Sequence, residues 1–162
     1  MAQINNFKLK GIKMYSPTVL LAANLYLDNT KIATCNGDPS TDKISLTMTK
    51  KASLLESEIN LSANKYYENY KKIITNKENV DSSPLVQIVK ELITLNEMEE
   101  YLKKQRKKYI SSVLVLYSFV DKKDEVYYYG TWSPEIEKIE TMKVGAISHK
   151  VFKESTDFII QY

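Results

Sequence analysis

The chain has 162 residues, of which 43% are hydrophobic and 27% charged, and its formal net charge is +3. This composition excludes a disordered chain, and the length excludes any need for disulfide or metal stapling to support a core. The mild positive charge permits an acidic partner but lacks the dense basic stripe of a dedicated duplex-DNA binder.

The first signal is Phe7 to Ile12 (FKLKGI), in which Phe7 and Leu9 alternate with Lys8 and Lys10. Period two predicts a strand, and its lysines suit a sheet edge. Met14 to Pro17 reads as a connection. The clearest feature follows, Leu20 to Asp38 (LLAANLYLDNTKIATCNGD). Ala23, Leu25 and Leu27 alternate with Asn24, Tyr26 and Asp28, and Asp28-Asn29-Thr30-Lys31 supplies residues that tolerate a tight turn. Ile32 and Thr34 then share one face of a return strand, with Ala33 and Cys35 on the other. Asn36-Gly37-Asp38-Pro39 is expected to stop that strand. Ile44, Leu46 and Met48 alternate with polar residues and predict a further short strand.

Helical spacing begins next. Leu55, Ile59, Ala63, Tyr66, Tyr70 and Ile73 form one stripe on a helix predicted from about Leu54 to Ile74, with Ser53 and Glu56 in capping-box positions. A second helix is expected after Asp81-Ser82-Ser83-Pro84, with Ser82 or Ser83 as the cap. Its stripe runs from Leu85 to Leu102 and is broken at Glu99, where Met98 covers the gap. The run Lys103-Lys104-Gln105-Arg106-Lys107-Lys108 falls at its C-terminal end, where cations complement the helix dipole.

Val113 to Val120 (VLVLYSFV) predicts a central strand covered on both faces. A turn at Asp121 to Asp124 leads into Val126 to Trp132 (VYYYGTW), a β-rich return. Ile136, Ile139 and Met142 fit either a short helix or a poor strand. Val144-Gly145-Ala146 and Phe158-Ile159-Ile160 predict two last strands around a polar linker that holds His149. Strands, two helices and strands again predict an α+β fold, a mainly antiparallel sheet with two central helices packed on one face. No composition shift or repeat divides the chain, so residues 1–162 are expected to form a single domain.

As a set these segments resemble small, uncharacterised phage and bacterial proteins with a shared plan. That plan opens on a leucine-lysine strand, followed by a hairpin of the form A-x-x-Y-x-D/N-G-K and an N-D-G-x-G-G-like loop. A helical middle and a basic segment then lead into a final strand. Leu9, Lys10, Ile12 and Lys13 match the opening, and Ala23, Leu25, Tyr26, Leu27, Asp28, Lys31, Ile32 and Ala33 match the hairpin. Leu85, Val86, Leu92, Leu102, Lys103, Lys104, Lys107 and Lys108 match the middle. The resemblance spans about residues 8 to 120. It implies the fold and a phage-like origin, not a reaction. The chain departs from the plan at Asn36-Gly37-Asp38, which scrambles the loop, and at Pro39-Ser40, which replaces its glycine pair. A changed loop function is therefore expected at Asn36 and Asp38.

Catalytic patterns are few. His149 is the single histidine, which removes two-histidine metal and phosphodiesterase motifs, and no serine lies in a G-x-S-x-G turn. Cys35 is the single cysteine, so no intrachain disulfide forms, as in a reducing compartment; it reads as a packed thiol rather than a nucleophile paired with His149. Asp38 with Asp42, and Asp121 with Asp124 and Glu125, read as turn formers rather than metal ligands. Phosphate-loop and dinucleotide motifs are absent, so no cofactor is expected. No leader peptide and no apolar stretch near twenty residues is evident, so no membrane association is expected.

The binding candidates are Lys103, Lys104, Arg106, Lys107 and Lys108, with Tyr127 and Tyr129 sharing one face of their strand. Exposed tyrosines beside lysines stack on bases or anchor a protein interface, and without an RNP1 signature the protein interface is favoured. The expectation is a phage-encoded, non-enzymatic interaction protein in the host cytoplasm. Its partner would be a host protein, for example a component of a bacterial defence system. A nucleic-acid or nucleotide binder, a virion component that forms homo-oligomers, and a metal-dependent hydrolase are the alternatives.

Overall fold

The computed structural model describes residues 1–15, 20–38, 43–73, 83–120, 126–133 and 148–161. The fold is α+β. In chain order the elements are β1 (Gln3–Ile4), β2 (Phe7–Tyr15), β3 (Leu20–Leu27), β4 (Thr30–Asp38), β5 (Lys43–Met48), α1 (Glu56–Ile73) and α2 (Pro84–Arg106). There follow β6 (Val113–Val120), β7 (Val126–Ser133), β8 (Ser148–Phe152) and β9 (Ile159–Ile160). The strands form two sheets, a six-stranded one in the order β5-β4-β3-β2-β1-β9 and a three-stranded one in the order β7-β6-β8. Among the described residues every pairing is antiparallel except β1 with β9.

The predicted hairpin is β3 and β4, and the alternation on β3 is the one expected. Leu21, Ala23, Leu25 and Leu27 are buried, while Ala22, Asn24 and Tyr26 are half-buried on the other face. Asp28 takes the turn with φ of 52°, a left-handed conformation that Asp adopts more readily than most residues.

The strands beside β3 do not keep strict period two. In β2, Lys10 pairs with Asn24 but Lys13 pairs with Ala22, so one residue too many lies between them. Gly11, at φ of 64°, absorbs the surplus as a glycine bulge. Unbroken alternation would turn Lys13 toward the core with Phe7 and Leu9. The bulge instead lets Ile12 pack against the core and sends Lys13 outward. A second irregularity falls between Lys31, which pairs with Tyr26, and Ala33, which pairs with Leu25. It buries Ile32 and Ala33 in succession and keeps Lys31 on the Tyr26 side. Ala33 and Cys35 therefore face the core, Thr34 faces outward, and Ile32 joins the core rather than sharing Thr34's face.

The return strand does not stop at Asn36. β4 runs through Asp38, with Gly37 paired to Leu21 on one side and Ile44 on the other. β2 likewise continues to Tyr15, past the expected connection at Met14.

Ser53 does not cap α1. A 3₁₀ turn over Ala52–Leu55 precedes the helix, and the Ser53 hydroxyl donates to the Lys50 carbonyl at 2.8 Å. Ser83 does cap α2, accepting from the Val86 N–H at 3.4 Å, with Pro84 in the first turn. The α2 stripe includes Glu99, which is buried, while Met98 is only partly so. Ile59, Ala63 and Tyr66 of α1, and Ile88, Val89 and Leu92 of α2, share one core with the inward residues of the six-stranded sheet. Leu114, Phe152 and Phe158 bring the second sheet and the C-terminal 3₁₀ turn (Ser155–Phe158) to the same core, and the two phenylalanine rings stack at 4.5 Å.

The strand at Val113–Val120 is central in its sheet, and Val113, Leu114 and Val115 are buried in succession, as expected for two covered faces. His149 lies on β8 and not in a loop: the polar tract expected to be a linker carries a strand over Ser148–Phe152. Of the last expected strand only Ile159–Ile160 is extended, and Phe158 ends the 3₁₀ turn. The expected turn at Asp121–Asp124, the segment Ile136–Met142 and the strand at Val144–Ala146 lie outside the described residues. No helix among the described residues is long and apolar enough to cross a membrane.

Candidate functional site

The basic run sits where α2 ends and the chain turns back into β6. The N–H groups of Lys108 and Tyr109 both donate to the Gln105 carbonyl at 2.9 Å, and Ser112 N–H donates to the Tyr109 carbonyl at 3.0 Å. These bonds close the helix and form a knuckle over residues 107–112.

Arg106 holds this knuckle. Its Nε donates to the Ile110 carbonyl at 3.1 Å and its Nη1 to the Lys153 carbonyl at 2.6 Å. One planar guanidinium thus ties the turn to the segment after β8, a task its fixed fork of donors suits better than a flexible ammonium. Lys103 is also engaged. Its Nζ lies 3.0 Å from Glu99 Oε1 and 2.9 Å from Glu100 Oε1. The Met1 ammonium donates to the same Glu99 oxygen at 2.6 Å. Burial pushes the Glu99 carboxyl upward, but bonds from Met1, Lys103 and Ser155 outweigh it and hold the group below the usual carboxylate range. Bonds to Glu100 and Glu99 raise the Lys103 ammonium in turn.

Lys104, Lys107 and Lys108 differ from these two. All three are exposed, and among the described residues none forms an ion pair. Apolar surface lies beside them: Ile110 is 86% exposed, Tyr109 49% and Tyr101 41%. Tyr101 and Lys104 are three residues apart on α2, so they share one side of the helix, and Lys107 and Lys108 follow in the turn just past its end. The knuckle therefore presents Tyr109 and Ile110 beside Lys107 and Lys108, with Lys104 and Tyr101 exposed on the last turns of the helix before it.

The other expected residues lie elsewhere. Asn36 is exposed on β4 opposite Ala22 and Ser45, and its carbonyl accepts from the Ser45 hydroxyl at 3.0 Å. Asp38 ends β4 opposite Lys43. Between them, Gly37 has φ of 142°, and a Cβ there would lie 1.9 Å from the Lys43 carbonyl oxygen. Backbone geometry within a ladder accounts for the glycine at this corner. Tyr127 and Tyr129 lie on β7, in register with Phe119 and Tyr117. The three groups thus occupy a helix end, one sheet and the other. The sequence reading missed Ile110, whose signal was an apolar residue directly after a basic run and before the next strand.

Among the described residues the catalytic alternatives gain no geometry, and Asp42, Asp121, Asp124 and Glu125 lie outside them. Cys35 is fully buried on β4, and burial pushes its thiol up to about 11 despite a backbone bond at Leu25 and the nearby Lys31 charge. His149 is exposed on β8 of the three-stranded sheet, 6.0 Å from the Tyr117 ring, whereas Cys35 lies on β4 of the six-stranded sheet. Among the described residues no three His, Cys, Asp or Glu side chains gather as a metal site requires. Comparison with protein-family models, with curated proteins and with solved structures finds no match to this chain.

Proposed function

We propose that this is a phage-encoded, non-enzymatic interaction protein that binds an acidic face of a host protein through the knuckle at the end of α2. The exposed Ile110 carries this reading. A single exposed isoleucine is ordinary, but this one follows the exposed Tyr109 directly in the chain, and tyrosine is enriched among the residues that dominate binding energy at interfaces. Lys104, Lys107 and Lys108 suit the rim, where charge steers encounter and excludes wrong partners more than it adds affinity. Arg106 keeps the turn in one conformation before binding, which lowers the ordering cost that association must meet. A component of a bacterial defence system is the class of host protein that the phage-like plan favours.

The test is capture from host lysate by the full chain and by an Ile110→Asp variant in parallel. The reading expects a stoichiometric protein retained by the first and lost by the second, with equal melting temperatures for the two baits. Retention of the same protein by both baits would move the interface off the knuckle.

A further inference from the structure

We infer that the outward face of the six-stranded sheet is a second binding surface, and that it takes single-stranded nucleic acid. This inference is independent of the knuckle, because it rests on other residues and another partner class. Lys8, Tyr26 and Lys31 stand in one row across β2, β3 and β4. The next row begins with Lys10 opposite Asn24, and the third with Lys13 opposite Ala22 and Asn36. The side chains in these rows are half-buried to exposed. No position in the three rows is acidic; the nearest carboxylates in register are Asp28 in the β3–β4 turn and Asp38 at the far end of β4.

The backbone is shaped to make this face. Strict alternation in β2 would bury Lys13, and the Gly11 bulge turns it outward. The irregularity at Ile32 likewise holds Lys31 beside Tyr26. Lys8 and Lys10 face outward by alternation and the two departures add Lys13 and Lys31, so four ammonium groups share one face with the Tyr26 ring, the one aromatic ring there among the described side chains. Bulges commonly re-aim a side chain where a sheet has a task.

The chemistry fits a nucleic-acid strand better than an acidic protein. A protein interface needs an apolar centre, and these rows have only Ala22 and the Tyr26 ring. A strand offers phosphates to the lysines, base edges to the Asn24 and Asn36 amides, and a base to stack on Tyr26. A flat sheet face does not enter a duplex groove, whereas unpaired bases are free to lie on it. Lys10 Nζ lies 4.6 Å from the Tyr26 ring centroid. A base taking that place would release the ammonium to a phosphate, so stacking and charge pairing form together.

Fluorescence anisotropy of a labelled oligothymidylate, titrated with the full chain from low to moderate salt, tests the assignment. Binding should fall with salt at a log–log slope of about −2 to −3, as for three or four phosphate contacts to a single strand. Tyr26→Leu should weaken binding roughly tenfold and Tyr26→Phe should not, since stacking needs the ring and not the hydroxyl. A Lys8→Gln/Lys31→Gln double variant, melting like the parent, should bind more weakly with a slope shallower by about 1.4. Ile110→Asp should change nothing, which separates this surface from the knuckle. Undetectable binding at low salt would overturn the inference. So would binding that is insensitive to Tyr26→Leu, or that polyglutamate chains reproduce with the same variant pattern.

Discussion

Gly37 and Gly11 do unequal work. At Gly37 the left-handed φ coincides with a backbone oxygen 1.9 Å from where a Cβ would sit, so β5 must shift to admit any side chain. Gly37→Ala should therefore cost roughly 2–4 kcal/mol, read as a lower midpoint in denaturant unfolding. Gly11 has a similar φ requirement but open space, since the nearest atom to a Cβ there is Asn24 Nδ2 at 3.5 Å. Gly11→Ala should cost only about 1 kcal/mol. Equal losses at the two sites would show that the close approach at Gly37 is unimportant. Cys35 gives a second check at this scale. With its thiol pushed up to about 11 by burial, it is protonated near neutral pH and shielded from solvent. It should resist a thiol reagent in the native protein and react at once in denaturant. Fast native labelling would mean that β4 opens readily.

The α2 helix shows how charge couples to stability. Glu99 has its carboxyl held low in the folded state, so its contribution is present above the ordinary unfolded value of about 4.3 and is lost as pH falls. Glu91 runs the other way. Burial raises its carboxyl despite the bond from Tyr66 Oη at 3.1 Å and the nearby Lys150 charge, so its contribution fades as pH rises through its folded value. Glu99→Gln should thus destabilise at neutral pH by about 1–2 kcal/mol, discounted because both cations on Glu99 are about half exposed. The deficit should shrink toward zero as pH falls below about 4. A pH-independent deficit would assign Glu99 a packing role only. The helix also marks what a one-dimensional pattern reveals. Its stripe, its Ser83 cap and its basic end were legible because spacing and capping are local. The burial of Glu99 was not, because its partners include Met1 and Ser155, distant in sequence and adjacent only after folding.

Across the whole molecule the same division holds. The β3–β4 hairpin and the α+β class followed from alternation and element order. The split into two sheets did not, because period two says which face a residue takes and not which strand lies beside it. The bulges at Gly11 and Ile32 were hidden for a related reason: each shifts register by one residue, visible only against a partner strand. Of the candidate site, the lysines were readable as charge, while Arg106 as a brace and Ile110 as an exposed apolar tip required the turn itself. Under the proposed function the knuckle, and not the sheets, meets a host protein. Hydrogen–deuterium exchange of the full chain, free and bound to the captured partner, tests that most directly. The account predicts slowed exchange across residues 101–112, with β3 and β4 unchanged. Protection confined to the sheets, with 101–112 exchanging as in the free protein, would contradict it.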